Sequence, residues 1–194
     1  MTNKKVFIAY IQSIYKVSRE KAMEISYGFK PVIFQSGEYL IEEQRLDRHA
    51  YFLEEGYVRS FMNDSKGLEL TTGIYSPKCF LNDFNTFFSQ QPSTETFQTL
   101  TECSGWVISW EEIENRYHSS VEFREFCRLL ILDGYNRMKQ RLIGLLSDTE
   151  EARYRKLLSE QPDIFRYAQS SQIASYLGIT TSVLNRLREE MILS

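Results

Sequence analysis

From Lys4 to about Tyr27 the apolar residues Phe7, Ile11, Ile14, Ala22 and Ile25 recur at helical spacing. A break around Val17 and Ser18 divides this lead-in into a helix and a second, shorter one. Pro31 changes the texture, and from there to Trp110 the pattern predicts strands and turns. Lys30 to Phe34 precedes the turn Ser36-Gly37, and Tyr39 to Ile41 follows it. Tyr51 to Leu53 runs into Glu55-Gly56, and Tyr57 to Met62 meets the polar turn Asn63-Asp64-Ser65-Lys66-Gly67. On the return strand, alternation places Leu68, Leu70, Thr72 and Ile74 on one face and Glu69 and Thr71 on the other. Trp106, Ile108 and Trp110 alternate likewise. Short strands so spaced predict an antiparallel sandwich or roll with aromatic side chains in its core.

Glu111 to Tyr117 reads as a short helix, and Val121 to Leu146 as a long one of 26 residues without proline. At ~1.5 Å per residue the long helix spans close to 40 Å, more than one small roll can cover. Phe123, Phe126, Leu130, Met138, Leu142 and Leu145 form a seam, which Leu129, Leu132, Tyr135 and Leu146 broaden. One side is expected to pack on the roll and the other on a second subunit, so the seam is the expected homodimer interface. Ser147-Asp148-Thr149 marks a hinge and a helix start; Thr149 to Leu158 is the next helix, and Gln161-Pro162-Asp163 stops it.

Ser170 to Glu189, SSQIASYLGITTSVLNRLRE, has the pattern of a helix-turn-helix. Gly178 stands where the first helix must end in a left-handed residue. Ile173, Leu177, Ile179, Leu184 and Leu187 fall where two crossing helices bury them, and Ala174 is small at their closest approach. Ser170 and Thr180 are candidate N-caps and, with the outward residues that follow, candidate DNA contacts. Thr181, Ser182, Asn185, Arg186 and Arg188 point outward. A helical hairpin inside a core is the bland explanation, but the agreement of glycine, alanine and five apolar positions favours a DNA-reading unit. Asn185 and Arg186 are suited to adenine and guanine edges, Thr181 and Ser182 to phosphates or thymine methyls, and Arg188 to the backbone.

The net charge of −3 hides an asymmetry. Met1 to Asp133 carries 14 Lys and Arg against 19 Asp and Glu, whereas Gly134 to Ser194 carries 9 against 7. The segment with the helix-turn-helix is thus the positive one, modestly so, and a second copy in a dimer would help it hold nucleic acid. Cys79, Cys103 and Cys127 are odd in number and far apart, which suggests neither a disulfide framework nor a metal cluster. His49 and His118 stand alone. Ser13 and Lys16 form an S-x-x-K without any companion motif, and no nucleophile–base pair or glycine-rich phosphate loop stands out, so an enzyme is the least favoured class. No run approaches the ~18 apolar residues of a membrane span, and Gln12 and Ser13 interrupt the N-terminal apolar run too early for a signal peptide. A cytoplasmic protein is expected, with no membrane partner.

Helical lead-in, roll, long helix and helix-turn-helix, in that order, resemble the Crp/Fnr superfamily of transcription regulators over nearly the whole chain. The resemblance is sharpest at GEYLIEE with YFLEEGYVRSF and at TEEARYRKLLSEQPDIF with IASYLGITTSVLNRLR, and is closest to short Bacteroidetes-type members. It implies an α+β fold: an N-terminal antiparallel β-roll of the double-stranded β-helix or jelly-roll type over residues 1–120, a dimerisation helix over 121–147, and a helix-turn-helix, winged or not, over 148–194. It also implies a homodimer on double-stranded DNA, with RNA polymerase as a further partner and a small-molecule effector in the roll. Cyclic-nucleotide-binding members carry a Gly-Glu pair and, about a dozen residues on, an Arg-Ser that neutralises the phosphate. The matching positions are Asn82, Asp83, Ser93 and Thr94, a degenerate cassette without the arginine. No cysteine precedes Cys79 to hold an iron–sulfur cluster, and two scattered histidines do not make a haem site. No cofactor is therefore expected, cAMP and cGMP are not expected to bind, and the roll takes another effector or none. The competing class is an effector-binding or protein-interaction module whose helix-turn-helix is vestigial.

Overall fold

A computed structural model of the chain describes residues 4–192. Helices α1 (Lys5–Ile14) and α2 (Arg19–Ile25) lead into strands β1 (Lys30–Phe34), β2 (Tyr39–Ile41), β3 (His49–Glu55), β4 (Val58–Asn63), β5 (Glu69–Tyr75) and β6 (Cys79–Leu81). Helix α3 (Phe84–Ser89) interrupts the strands before β7 (Thr96–Thr99) and β8 (Cys103–Ser109). Six helices follow: α4 (Trp110–Ser119), α5 (Val121–Ser147), α6 (Glu150–Glu160), α7 (Ile164–Tyr167), α8 (Ser170–Leu177) and α9 (Thr181–Ile192). No strand follows β8 among the described residues, so the C-terminal segment has no wing there. The hydroxyls of Ser18, Ser109, Ser120 and Thr149 each accept a backbone N–H in the first turn of α2, α4, α5 and α6, at 3.2–3.3 Å. These caps satisfy donors that a helix start otherwise leaves unpaired.

The strands form two four-stranded sheets, in the orders β1-β8-β3-β6 and β2-β7-β4-β5, with every pairing antiparallel. Between them lies one core, including Leu40, Ile41, Leu53, Val58, Leu81 and Phe97. The outer face of the first sheet is covered too: Phe52, Trp106 and Ile108 pack against Phe7 and Ile11 of α1, Ile25 of α2, and Phe123 and Phe126 of α5. This double coverage explains why Ala50, Tyr51, Phe52 and Leu53 of β3 are all buried, without the alternation of a half-exposed strand. Gly56, at φ +94° in the β3–β4 turn, could not carry a side chain, since a Cβ there would lie 2.5 Å from the Glu102 carbonyl.

Two expectations from alternation need correction. On β5 the register shifts between Ser60↔Gly73 and Phe61↔Thr71, leaving Thr72 as an extra, bulged residue. A bulge reverses the faces on either side of it. Leu68 and Leu70 are therefore exposed, while Thr71 is buried beside Ile74. Between Pro77 and Glu102 the pattern predicted no element, yet β6, α3 and β7 lie there. Strands of three and four residues are too short to display a period.

The third core belongs to the C-terminal helices and the outer face of the second sheet. Tyr154, Leu157, Ile164, Ile173, Ala174, Leu177, Leu184 and Leu187 cluster with Ile74 of β5, and Tyr57 and Leu100 pack against them. Tyr57 stacks on Tyr167 at 4.7 Å. Ser76 Oγ donates to Gln161 at 2.6 Å. The edge of β5, which would otherwise present an unpaired ladder, is met by α8: the Thr71 N–H donates to Ser175 Oγ at 2.9 Å. Beneath this contact Arg59 is 2% exposed; it donates to Thr71 Oγ1 and Glu69 and lies over the Phe61 ring.

Candidate nucleic-acid interface and effector pocket

The turn between α8 and α9 is built by its backbone. Gly178 adopts φ 66° and ψ 39°, its N–H donates to the Ser175 carbonyl, and the Ile179 N–H reaches back to the Ala174 carbonyl. That pair of bonds is a Schellman motif. The remaining two carbonyls of the last turn are taken by arginines: Arg141 Nη2 donates to Tyr176 O at 2.9 Å, and Arg153 Nε to Leu177 O at 2.8 Å. All four otherwise orphaned acceptors are thus paired, and cations stand at the negative end of the helix. Helix α9 then starts at a Thr180 cap, whose Oγ1 accepts the Val183 N–H at 3.2 Å.

Leu184 and Leu187 turn inward, and Thr181, Ser182, Asn185 and Arg186 are exposed together on the opposite face, as their spacing predicts. Arg186 Nη2 lies 3.7 Å from Glu150 in the first turn of α6. Arg188 does not join that face. It is half-buried, its Nη1 donates to Ser170 Oγ at 2.9 Å, and its guanidinium lies 5.6 Å from the Phe165 ring. Ser170 is correspondingly not the cap of α8. The cap position is Gln169, whose N–H donates to Gln172 Oε1, and Ser170 is the first helical residue.

Of the four cassette positions, two meet. Ser93 is buried, and its hydroxyl lies 2.5 Å from Asp83 Oδ2, which also accepts from Thr86. Backbone bonds to Arg45 and Gln44 fix Ser93 further. Asn82 is half-buried, and Thr94 is exposed. Sequence reasoning missed the neighbouring Glu95, whose Oε2 accepts from Thr72 Oγ1 at 2.9 Å. Thr72 in turn lies 2.7 Å from Ser60 Oγ, and the Tyr75 hydroxyl 3.4 Å from the same oxygen. Burial pushes the Glu95 carboxyl above the ordinary carboxylate range. No local motif announces these hydroxyls, because β4, β5 and the stretch before β7 supply them from distant parts of the chain. An anion here would meet two carboxyl side chains, and none of the four cassette positions supplies an arginine.

The expected dimer seam divides along α5. Phe123 and Phe126, each 1% exposed, belong to the protomer's own core, and Leu130 packs against the same cluster. They are not free surface, because the outer face of the first sheet needs a cover and α5 provides it. Leu145 is half-buried and approaches Gly178. Further along, Ile131, Leu132, Tyr135, Met138, Leu142, Ile143 and Leu146 are exposed, Met138 to 66% and Leu146 to 80%. The three cysteines are free. Among the described residues no helix is long and apolar enough to cross a membrane, and no group of three or more His, Cys, Asp or Glu side chains converges on a metal position.

Residues 31–120 match the cyclic nucleotide-binding domain family. No curated protein matches the chain in sequence. Solved structures do match in shape. FixK2 from Bradyrhizobium japonicum superposes with a TM-score of 0.69 at 18% identity, covering 85% of each chain. The c-di-GMP-responsive global regulator CLP of Xanthomonas campestris gives 0.69 at 13%, over 91% of this chain and 92% of that one. The catabolite activator protein of Thermus thermophilus gives 0.58 at 12%, over 94% and 86%. The chain shares the fold of these three structures. The match spans nearly their full length, so the helices after β8 are part of the shared architecture.

Proposed function

We propose that the protein is a dimeric, sequence-specific DNA-binding transcription regulator of the Crp/Fnr type that does not respond to cAMP or cGMP. Its units are a sensor roll with its lead-in (1–120), a dimerisation helix (121–147) and a helix-turn-helix unit (148–194). The observation that carries this reading is α9. Its buried side is closed by Leu184 and Leu187, and its polar side leaves Thr181, Ser182, Asn185 and Arg186 open to solvent. A helix so mounted enters the major groove with its N-terminal residues at the base edges. Arg188, expected at the DNA backbone, braces α9 against Ser170 in the free protein. The exposed apolar stripe Ile131, Tyr135, Met138 and Leu142 repeats at four, three and four residues, the spacing of a two-helix seam. A symmetric dimer would set two α9 helices at half-sites about one helical turn apart.

Selection from random duplex DNA, followed by titration at several salt concentrations, tests this. An inverted repeat and a steep loss of affinity with salt are expected. Arg186→Ala should cost about 1–3 kcal/mol on the selected site and relax preference at one base pair per half-site. Absence of any enriched sequence, with no salt-dependent binding, would overturn the reading. The competing one, an effector or interaction module with a vestigial helix-turn-helix, draws on the pairing of both α9 arginines, Arg186 with Glu150 and Arg188 with Ser170. For cyclic nucleotides, calorimetry should detect no micromolar binding of cAMP or cGMP, since a buried phosphate without a cation carries a desolvation cost of at least several kcal/mol.

A further inference from the structure

Three consecutive residues in the last turn of α8 are held by three different parts of the chain. The Ser175 hydroxyl accepts the Thr71 N–H of β5 at 2.9 Å. The Tyr176 carbonyl accepts Arg141 Nη2 of α5 at 2.9 Å, and the same guanidinium lies 4.4 Å over the Tyr176 ring. The Leu177 carbonyl accepts Arg153 Nε of α6 at 2.8 Å. Arg153 has a second hold, since its Nη1 donates to the carbonyl of Asp148, the C-cap of α5, at 2.6 Å. One planar guanidinium thus bridges the end of α5 and the end of α8. Its fork is rigid, so it fixes the spacing of the two carbonyls better than a single amine on a flexible stem would. The covalent link between α5 and α6 fixes much less. It consists of Asp148 and Thr149, both extended, with ψ 149° and 158°, and each has two soft dihedrals. Apolar packing fixes little either: Leu145 approaches Gly178, but among the described residues no α5 side chain joins the core of the C-terminal helices.

We propose that Arg141 and Arg153 are positioning residues that set the angle between α5 and the α8–α9 unit, and with it the half-site spacing that a dimer joined through α5 accepts. Helix α9 follows α8, because Leu184 and Leu187 share a core with Ile173 and Leu177. For a hinge near the dimer axis the lever is about 17 Å, half of one helical turn of DNA, and a swing of about 10° then moves α9 by about 3 Å, close to one base-pair step. A small loss of angular definition is therefore enough to blur spacing. The half-site consequence rests on the function proposed above; the alignment of the helices does not.

The full-length protein tests it first without DNA, by amide residual dipolar couplings. In the parent one alignment should fit the couplings of α5 and of α8–α9 together. In the double variant Arg141→Met, Arg153→Met each part should still fit by itself, but the two should need separate alignments. Ser175→Ala, which cuts only the bond to β5, should keep the single alignment. If the double variant fails to fold, Arg153→Lys decides by the same couplings, because it keeps a charge at the end of α8 but offers one nitrogen in place of the fork. On duplex DNA, adding or removing one base pair between the half-sites should weaken the parent about a hundredfold and the double variant about tenfold or less. Base preference within each half-site should not change, which a general loss of folding would not spare. A single alignment that persists in the double variant, an undiminished spacing penalty, or loss of the single alignment in Ser175→Ala overturns the proposal. Failure of the parent protein to bind duplex DNA would overturn the reading of α9 and leave the alignment to be judged on the couplings alone.

Discussion

The two ends of α5 share one helix, yet meet different fates. From Phe123 to Leu130 apolar side chains close the outer face of the first sheet, and Phe123 and Phe126 vanish into a core shared with α1 and α2. From Ile131 onward the apolar side chains, Leu145 apart, stand in solvent in the single protomer. Burial is non-directional and follows the area available nearby, so an apolar period states only that a face must be covered. It does not state by what. The first part of α5 is covered by its own chain, and the second is left open for the proposed dimer to cover.

Truncation breaks the comparison most severely. Phe126→Ala should destabilise the protomer by about 3–5 kcal/mol in chemical denaturation, through lost burial and the cavity left among Phe80, Trp106 and α1. Met138→Glu should leave protomer unfolding nearly unchanged, within about 0.5 kcal/mol after correction for protein concentration. In sedimentation, however, it should shift the dimer toward monomer by about a hundredfold or more in the dissociation constant. A monomer in the parent protein at micromolar concentration would remove the distinction between the two ends.

Thiol chemistry sharpens the comparison with a smaller effect. Burial pushes the Cys127 thiol, on the covered part of α5, up to about 12, so at pH 8 it should resist alkylation until the protein is unfolded. A cysteine introduced by Met138→Cys should alkylate readily in dilute protein, and more slowly as concentration rises and the seam closes. Equal rates at the two positions in the native protein would mean that the covered end is not covered.

Much of the candidate DNA interface was legible because its determinants are local. Gly178 must take a left-handed conformation, Leu184 and Leu187 must turn inward, and a helix of 3.6 residues per turn then places Thr181, Ser182, Asn185 and Arg186 on the other side. Ser170 was misread as a cap, and its bond to Arg188 went unseen, because that contact spans 18 residues and no spacing rule reports it. Glu95 went unnoticed for a similar reason: a lone glutamate after Ser93 has no signature until Thr72 and Ser60 arrive from β5 and β4.

By itself the sequence determined the succession of helical lead-in, strands, long helix and C-terminal helices, the helix starts near Ser18 and Thr149, the turn at Gly178 and the polar face of α9. All of these follow from steric and hydrogen-bonding rules acting within a few residues. Tertiary structure alone decided that Thr72 is bulged, that Leu68 and Leu70 face solvent, that Phe123 and Phe126 serve the protomer, and that α8 meets the edge of β5. The last is a bond between Thr71 and Ser175, 104 residues apart. Contacts of that range depend on which surfaces remain uncovered once the local elements have formed, and a hydrophobic pattern records the need for a cover without naming the partner.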